Sequence, residues 1–207
     1  MKTQIADLKT EAYTLIGTLK HKDLLPFIKE AFKGKSWPYY FYNGMMVLFA
    51  LVLFTLMLKD SIAARRLTFG PEFSYFGFGV ASSFLLIPLH EYLHALAYKA
   101  FGAKQTSFDM NLKKFYFMAM ADKFVVNAKQ FTIVILAPFL TISAITLLLA
   151  AFLSGPWAYL AVGVFFTHAL FCSGDFGLLC YLETHKPHQL FTYDDKALGE
   201  TYFYIKK

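Results

Sequence analysis

The chain has 207 residues, 57% of them hydrophobic and only 16% charged, with a mean hydropathy of +0.45. Soluble domains average roughly 45–50% apolar and about 25% charged, so this composition excludes a soluble globule, and it equally excludes a disordered chain, which needs low hydrophobicity and high net charge. What remains is an integral membrane protein whose partner is the lipid bilayer. A net charge of +6 is a weak pointer to nucleic acid, and no groove-reading motif supports it; in a membrane protein the basic residues mark cytoplasmic loops instead.

Residues 1–38 are mixed, with seven lysines and no run long enough to cross a bilayer. Ile5, Leu8, Leu15, Ile16 and Leu19 recur at helical spacing, which predicts N-terminal amphipathic helices lying on the membrane or packed on the rest of the protein. Pro26 begins or kinks the second of them. The first span starts at Tyr39 and ends at Leu58, about the 20 apolar residues a spanning helix needs. Further spans are predicted at 73–101, 129–153 and 157–182. Between the second and third, the stretch SFDMNLKKFYFMAMADKFVV is rich in aromatic and β-branched residues, so 102–129 reads as a short strand or hairpin.

Nothing at the start resembles a cleavable signal peptide, because the first hydrophobic run begins too late. The expected fold is an all-α membrane protein: four transmembrane helices (39–182), N-terminal amphipathic helices (1–38), a short cytoplasmic β segment between spans two and three, and a cytoplasmic tail (183–207). Sixteen of the 20 basic residues fall in the N-terminal stretch, the 102–129 segment and the tail, against three between spans one and two. The positive-inside rule therefore predicts both termini in the cytoplasm. The two cysteines, Cys172 and Cys180, cannot form a disulfide framework and read as small buried hydrophobes.

Span two contains LIPLHEYLHALAYKAFG, in which His90, Glu91 and His94 make H-E-x-x-H. On a helix the two histidines stand one turn apart on one face and can hold one metal ion, with Glu91 beside them as general base. Ionisable groups inside an apolar helix each cost on the order of 2–3 kcal/mol to insert when charged, so their presence asks for a use. The bland alternative is two histidines bonded to neighbouring helices and a glutamate at the membrane edge.

A catalytic zinc site takes three protein ligands and leaves a position for water. Asp175 is the one carboxylate in span four. His94 lies seven residues before Phe101 and Asp175 seven before Leu182, which places both in one layer near the cytoplasmic boundary. The expected ligands of Zn2+ are thus His90, His94 and Asp175. His168, Cys172 and Asp175 share a face of span four. A straight helix puts His168 about 10 Å deeper than Asp175, unless Gly174 loosens it. His168 is therefore expected to hold a ligand from behind or to polarise the substrate, the alternative being an ordinary hydrogen-bonded interior histidine. Cys172 as a soft ligand competes with simple packing. His21, His185 and His188 lie in polar flanking stretches and are expected to be solvated.

The run HEYLHALAYKAFGAK, a strand-like stretch, LAPFLT on span three and SGD on span four resemble the order of motifs in the intramembrane site-2 proteases. A closer resemblance, over residues 73–207, is to a family of small integral membrane proteins described as candidate zincin peptidases, which share H-E-x-x-H-A, a late S-G-D and a tail like DDKALGETYFYIKK. That resemblance implies His90, His94 and Asp175 as zinc ligands and Glu91 as catalytic base, acting on a membrane-embedded or juxtamembrane polypeptide. Two positions depart from the site-2 protease pattern. Gly174 precedes Asp175 where a glycine usually follows the aspartate, and Thr141 stands at the asparagine of the span-three motif, leaving Thr141 or His168 to steady the oxyanion. Pro138 is expected to break the third span. The competing functional reading is a non-catalytic membrane scaffold or regulator with a structural or vestigial zinc site. A di-iron hydroxylase needs more histidines than the spans hold, and a metal transporter needs polar residues along several helices.

Overall fold

The computed structural model describes residues 3–63, 70–111, 116–186 and 188–207. Arg65 and Arg66, counted above for orientation, and the centre of the expected hairpin, 112–115, lie outside the described residues. The elements in order are α1 (Ile5–Leu8), β1 (Tyr13–Lys20), α2 (Leu24–Lys33), α3 (Trp37–Ala63), α4 (Pro71–Ser83), α5 (Ile87–Ala100), β2 (Ser107–Asn111), β3 (Tyr116–Met120), β4 (Val126–Asn127), α6 (Ala128–Phe152), α7 (Pro156–Phe171), α8 (Ser173–Thr184), β5 (Leu190–Asp195) and β6 (Glu200–Lys206). The protein is mostly helical with a small antiparallel sheet.

Among the described residues three helices, α3, α4–α5 taken together and α6, are long and apolar enough to cross a membrane, or four if the broken pair α7–α8 counts as one span. Their composition is compatible with a membrane protein. Val47, Leu48, Leu51 and Phe54 on α3 are each about 60% exposed, a continuous apolar face that suits lipid rather than water.

The all-α expectation is corrected by a four-stranded sheet, whereas the β segment expected within 102–129 is present as a second, two-stranded sheet. The first has strand order β1-β6-β5-β4 and the second is the β2-β3 hairpin. The predicted helical face at Leu15, Ile16 and Leu19 is a strand: β1 pairs antiparallel with β6, with a register shift between Leu15 and Gly17. A bulge inserts one residue into the two-residue alternation of a strand, so the apolar positions fall at spacings that mimic a helix. Residues 1–38 thus contribute α1, β1 and α2, with Pro26 in the first turn of α2, where the missing N–H is tolerated.

Two compact units emerge: residues 1–39, 91–137 and 174–207, and residues 40–90 and 138–173. The division cuts α3, α5 and α6 within their lengths and falls one residue inside α8.

In the first unit α6 begins with a reciprocal cap. Asn127 Oδ1 accepts the N–H of Gln130 and Gln130 Oε1 accepts the N–H of Asn127, both at 3.0 Å, which satisfies two orphan donors of the first turn. α5 ends in a Schellman motif, with Gly102 at φ 97, its N–H on the Lys99 carbonyl and the Ala103 N–H on the Tyr98 carbonyl; that left-handed position favours glycine. The stretch after Glu183 supplies the two central strands of the larger sheet. His21, expected to be solvated, is instead 2% exposed, with Nε2 3.2 Å from Thr201 Oγ1 and Nδ1 3.6 Å from Asp109 Oδ2. Burial lowers its pKa, and Asp109 offsets this in part.

In the second unit α4 and α7 touch backbone to backbone. A Cβ on Gly79 would meet the Leu160 carbonyl oxygen and one on Gly163 would meet the Phe76 carbonyl oxygen, the close approach that small residues permit between membrane helices. Ser83 Oγ donates to the Gly79 carbonyl at 2.9 Å and reaches the Val164 carbonyl at 3.3 Å.

Candidate metal centre

Pro88 removes the N–H that the Phe84 carbonyl would receive in a regular helix, and the chain passes through a 3-10 turn at Phe84–Leu86 before α5 begins. On α5, His90 and His94 are one turn apart. His90, Glu91 and His94 are all buried, at 8–9% exposure. Three polar side chains on the inner face of one apolar helix meet the motif's demand at the level of the helix itself.

Each histidine is held through Nδ1. His94 Nδ1 donates to the Val134 carbonyl at 2.7 Å. That carbonyl is available for a chemical reason: its partner in the α6 ladder would be the N–H of residue 138, and Pro138 has none. Pro138, expected to break the span, stays inside a continuous α6, because an outside donor satisfies the carbonyl that the proline orphans. With Nδ1 carrying the proton, the lone pair of neutral His94 is on Nε2, and Nε2 lies 3.4 Å from Asp175 Oδ1. Asp175 stands in the first turn of α8, where a carboxylate is favoured by the helix dipole. This ring nitrogen and carboxylate oxygen are close enough that, with His94 neutral, both could serve one cation.

His90 Nδ1 is 3.0 Å from His168 Nε2. The break between α7 and α8 falls at Cys172, whose ψ of 3° leaves the helix, so a straight-helix separation of His168 from Asp175 does not apply. Ser173 and Gly174, both poor helix formers, follow the break. His168 is 1% exposed and its Nε2 faces His90. Thr141, weighed for an oxyanion role, is exposed on α6.

Glu91 Oε2 accepts the backbone N–H of Ala119 at 2.7 Å. Ala119 pairs with Phe108 across the hairpin, so an N–H given to Glu91 points to the outer edge of β3, where no further strand pairs among the described residues. The sequence pointed to the strand and to the glutamate; their contact, and that of His94 with Val134, depend on packing that no local pattern encodes, although Pro138 was a signal for the second.

A family model described as "Putative zincin peptidase" matches residues 83–190, just over half of the chain. The chain belongs to that family. Its description supports a metallopeptidase in general, and the matched range contains every residue of the candidate centre. Zinc suits the donors present: imidazole nitrogen and carboxylate oxygen are its ordinary ligands, and three of them leave a fourth position for water. No curated protein and no solved structure matches the chain.

Proposed function

We propose that this chain is a zinc metallopeptidase that hydrolyses a membrane-embedded or juxtamembrane polypeptide near the cytoplasmic boundary of the bilayer, with both termini in the cytoplasm. The observation that carries the reading is the approach of His94 Nε2 to Asp175 Oδ1 at 3.4 Å, with the other nitrogen of His94 already committed to Val134. Family membership and the neighbouring Glu91 support it.

His90, His94 and Asp175 would hold the ion. Zinc bound there supplies a Lewis acid that brings the pKa of a water towards 7. Val134 and His168 fix the ring planes of the two histidines, which keeps their lone pairs aimed. Glu91 takes a proton from the attacking water and returns it to the leaving amine, and its bond to Ala119 orients the carboxylate for that exchange. The substrate must present an extended peptide bond, since a helical one is shielded. The outer edge of β3 offers backbone groups for such a strand.

The test uses the full chain purified in detergent, elemental analysis for zinc, and a tagged single-span reporter whose transmembrane helix is weakened by glycine and proline, co-reconstituted in vesicles. Wild type is expected to hold one zinc per chain and to cleave. Glu91→Gln should keep the zinc and lose cleavage by about 10²-fold or more, and Asp175→Ala should lose both. Absence of stoichiometric zinc, with both variants behaving as wild type, overturns the reading. Zinc retained with no Glu91-dependent cleavage assigns a scaffold instead.

A further inference from the structure

A second group of metal-type side chains lies wholly within the second unit. His90, His168 and Cys172 are all buried, and each offers a ligand atom within 4.8 Å of the others. His90 Nδ1 and His168 Nε2 are 3.0 Å apart, and Cys172 Sγ is 3.9 Å from both ring nitrogens of His168. Cys172 is 0% exposed and His168 1%. Two nitrogens and a sulfur around an ion the size of zinc need bonds of about 2.0–2.1 Å and 2.3 Å, which at tetrahedral angles separates the donors by roughly 3.3–3.6 Å, and a larger soft cation spreads them somewhat further. The His90–His168 and His168–Cys172 separations fall on either side of that range, and His90 and Cys172 lie within 4.8 Å, so side-chain adjustment without backbone movement can bring the three donors onto one ion.

We propose that His90, His168 and Cys172 form a second site, selective for a soft divalent cation such as Cd2+, and that its occupation is mutually exclusive with zinc at His90, His94 and Asp175. The selectivity comes from the thiolate, which soft cations prefer. The exclusion comes from the imidazole of His90. A neutral ring carries one N–H and one lone pair. When Nε2 faces the His94 side as ligand, Nδ1 holds the proton and donates to His168. A cation bound through Nδ1 needs the lone pair there, so the ring proton moves to Nε2 and that nitrogen can no longer hold zinc. The thiol proton of Cys172 is released to solvent, and the thiolate takes its place as a ligand. One equivalent of soft cation therefore enters as one equivalent of zinc leaves. The soft site stands on its own geometry; the exclusion rests on the zinc reading above.

The experiment titrates CdCl2 into the zinc-loaded full chain in detergent. Released zinc is followed with a chromogenic chelator, and cadmium X-ray absorption reports which atoms surround the bound ion. Wild type and Cys180→Ser are expected to show a sulfur neighbour on cadmium and equimolar zinc release. Cys172→Ser and Cys172→Ala are expected to lose the sulfur neighbour and to keep their zinc over the same cadmium range. Cadmium with only nitrogen and oxygen neighbours in the wild type overturns the site. A sulfur neighbour with the zinc fully retained overturns the exclusion. Protein that holds no zinc at the outset, yet binds cadmium through Cys172, upholds the soft site while the metallopeptidase reading fails.

Discussion

At the scale of single residues, the telling one is a proline with no chemistry of its own. Pro138 leaves the Val134 carbonyl without its helical donor, and His94 Nδ1 fills the gap at 2.7 Å. Through that bond the backbone of α6 selects which nitrogen of His94 faces Asp175. Pro138→Ala restores an N–H four residues after Val134 and sets it in competition with the histidine. Loss of such an outer partner typically costs 10–100-fold in metal affinity. A competition titration against a zinc chelator should show Pro138→Ala weakened by about tenfold or more, with the helix content unchanged by circular dichroism; an unaltered affinity would remove Val134 from the centre. His90, Glu91, His94 and Asp175 were legible in the sequence because ionisable groups stand out in apolar spans. The contacts of His168 with His90 and of Glu91 with Ala119 were not, since each joins positions separated by tens of residues. His21 was misread for the converse reason: its neighbours in sequence are polar, and its burial is created by Thr201, 180 residues away.

At the scale of elements, the apolar spans were legible from length and hydropathy alone, three of them and a fourth if α7–α8 counts as one, and the breaks before α5 and between α7 and α8 have local causes in Pro88 and the Ser173–Gly174 pair. The N-terminal strand was not legible. Its bulge near Ile16 destroys the alternation by which strands are recognised, and its partner lies at the other end of the chain. The contact between α4 and α7 depends on two glycines that approach backbone atoms directly. Gly163→Val forces its side chain into the Phe76 carbonyl. Overpacking of this kind costs typically about 1–3 kcal/mol. The variant should unfold at lower denaturant in detergent than wild type, whereas a glycine whose Cβ would meet nothing, such as Gly44, should accept alanine with little change. Equal sensitivity at the two positions would show that the close approach does not matter.

At the scale of the whole molecule, the larger sheet gathers β1 from the start of the chain, β5 and β6 from its end and β4 from the segment between the second and third spans. The segment directly after β3 reaches this sheet through the bridge between Asp122 and Asp194 and through the Lys123 N–H on the Asp194 carbonyl at 2.8 Å. β3 also supplies the amide that holds Glu91, so the strand that orients the proposed base is anchored on residues from the far end of the sequence. The side chain of Asp194 is the titratable element of that anchor. It is 3% exposed and accepts the Thr201 hydroxyl at 2.6 Å. Burial pushes its pKa up from 3.8 to about 6, against the pull of hydrogen bonds from Thr201, Ala121 and Tyr98, with Asp122 adding to the rise. A raised carboxyl pKa means that the folded state holds the proton more tightly than the unfolded chain does. The stability contributed by this group is complete below about pH 3.8 and is lost as the pH climbs through about 6. Asp194→Asn stays neutral throughout and removes that slope. With chelator present to keep metal out of the comparison, the difference in Tm between wild type and Asp194→Asn should therefore shift in favour of the variant as pH rises from 4 to 7, other carboxylates cancelling in the difference. A difference independent of pH would mean that Asp194 is ionised in the fold at all these values, and that its hydrogen bonds outweigh its burial.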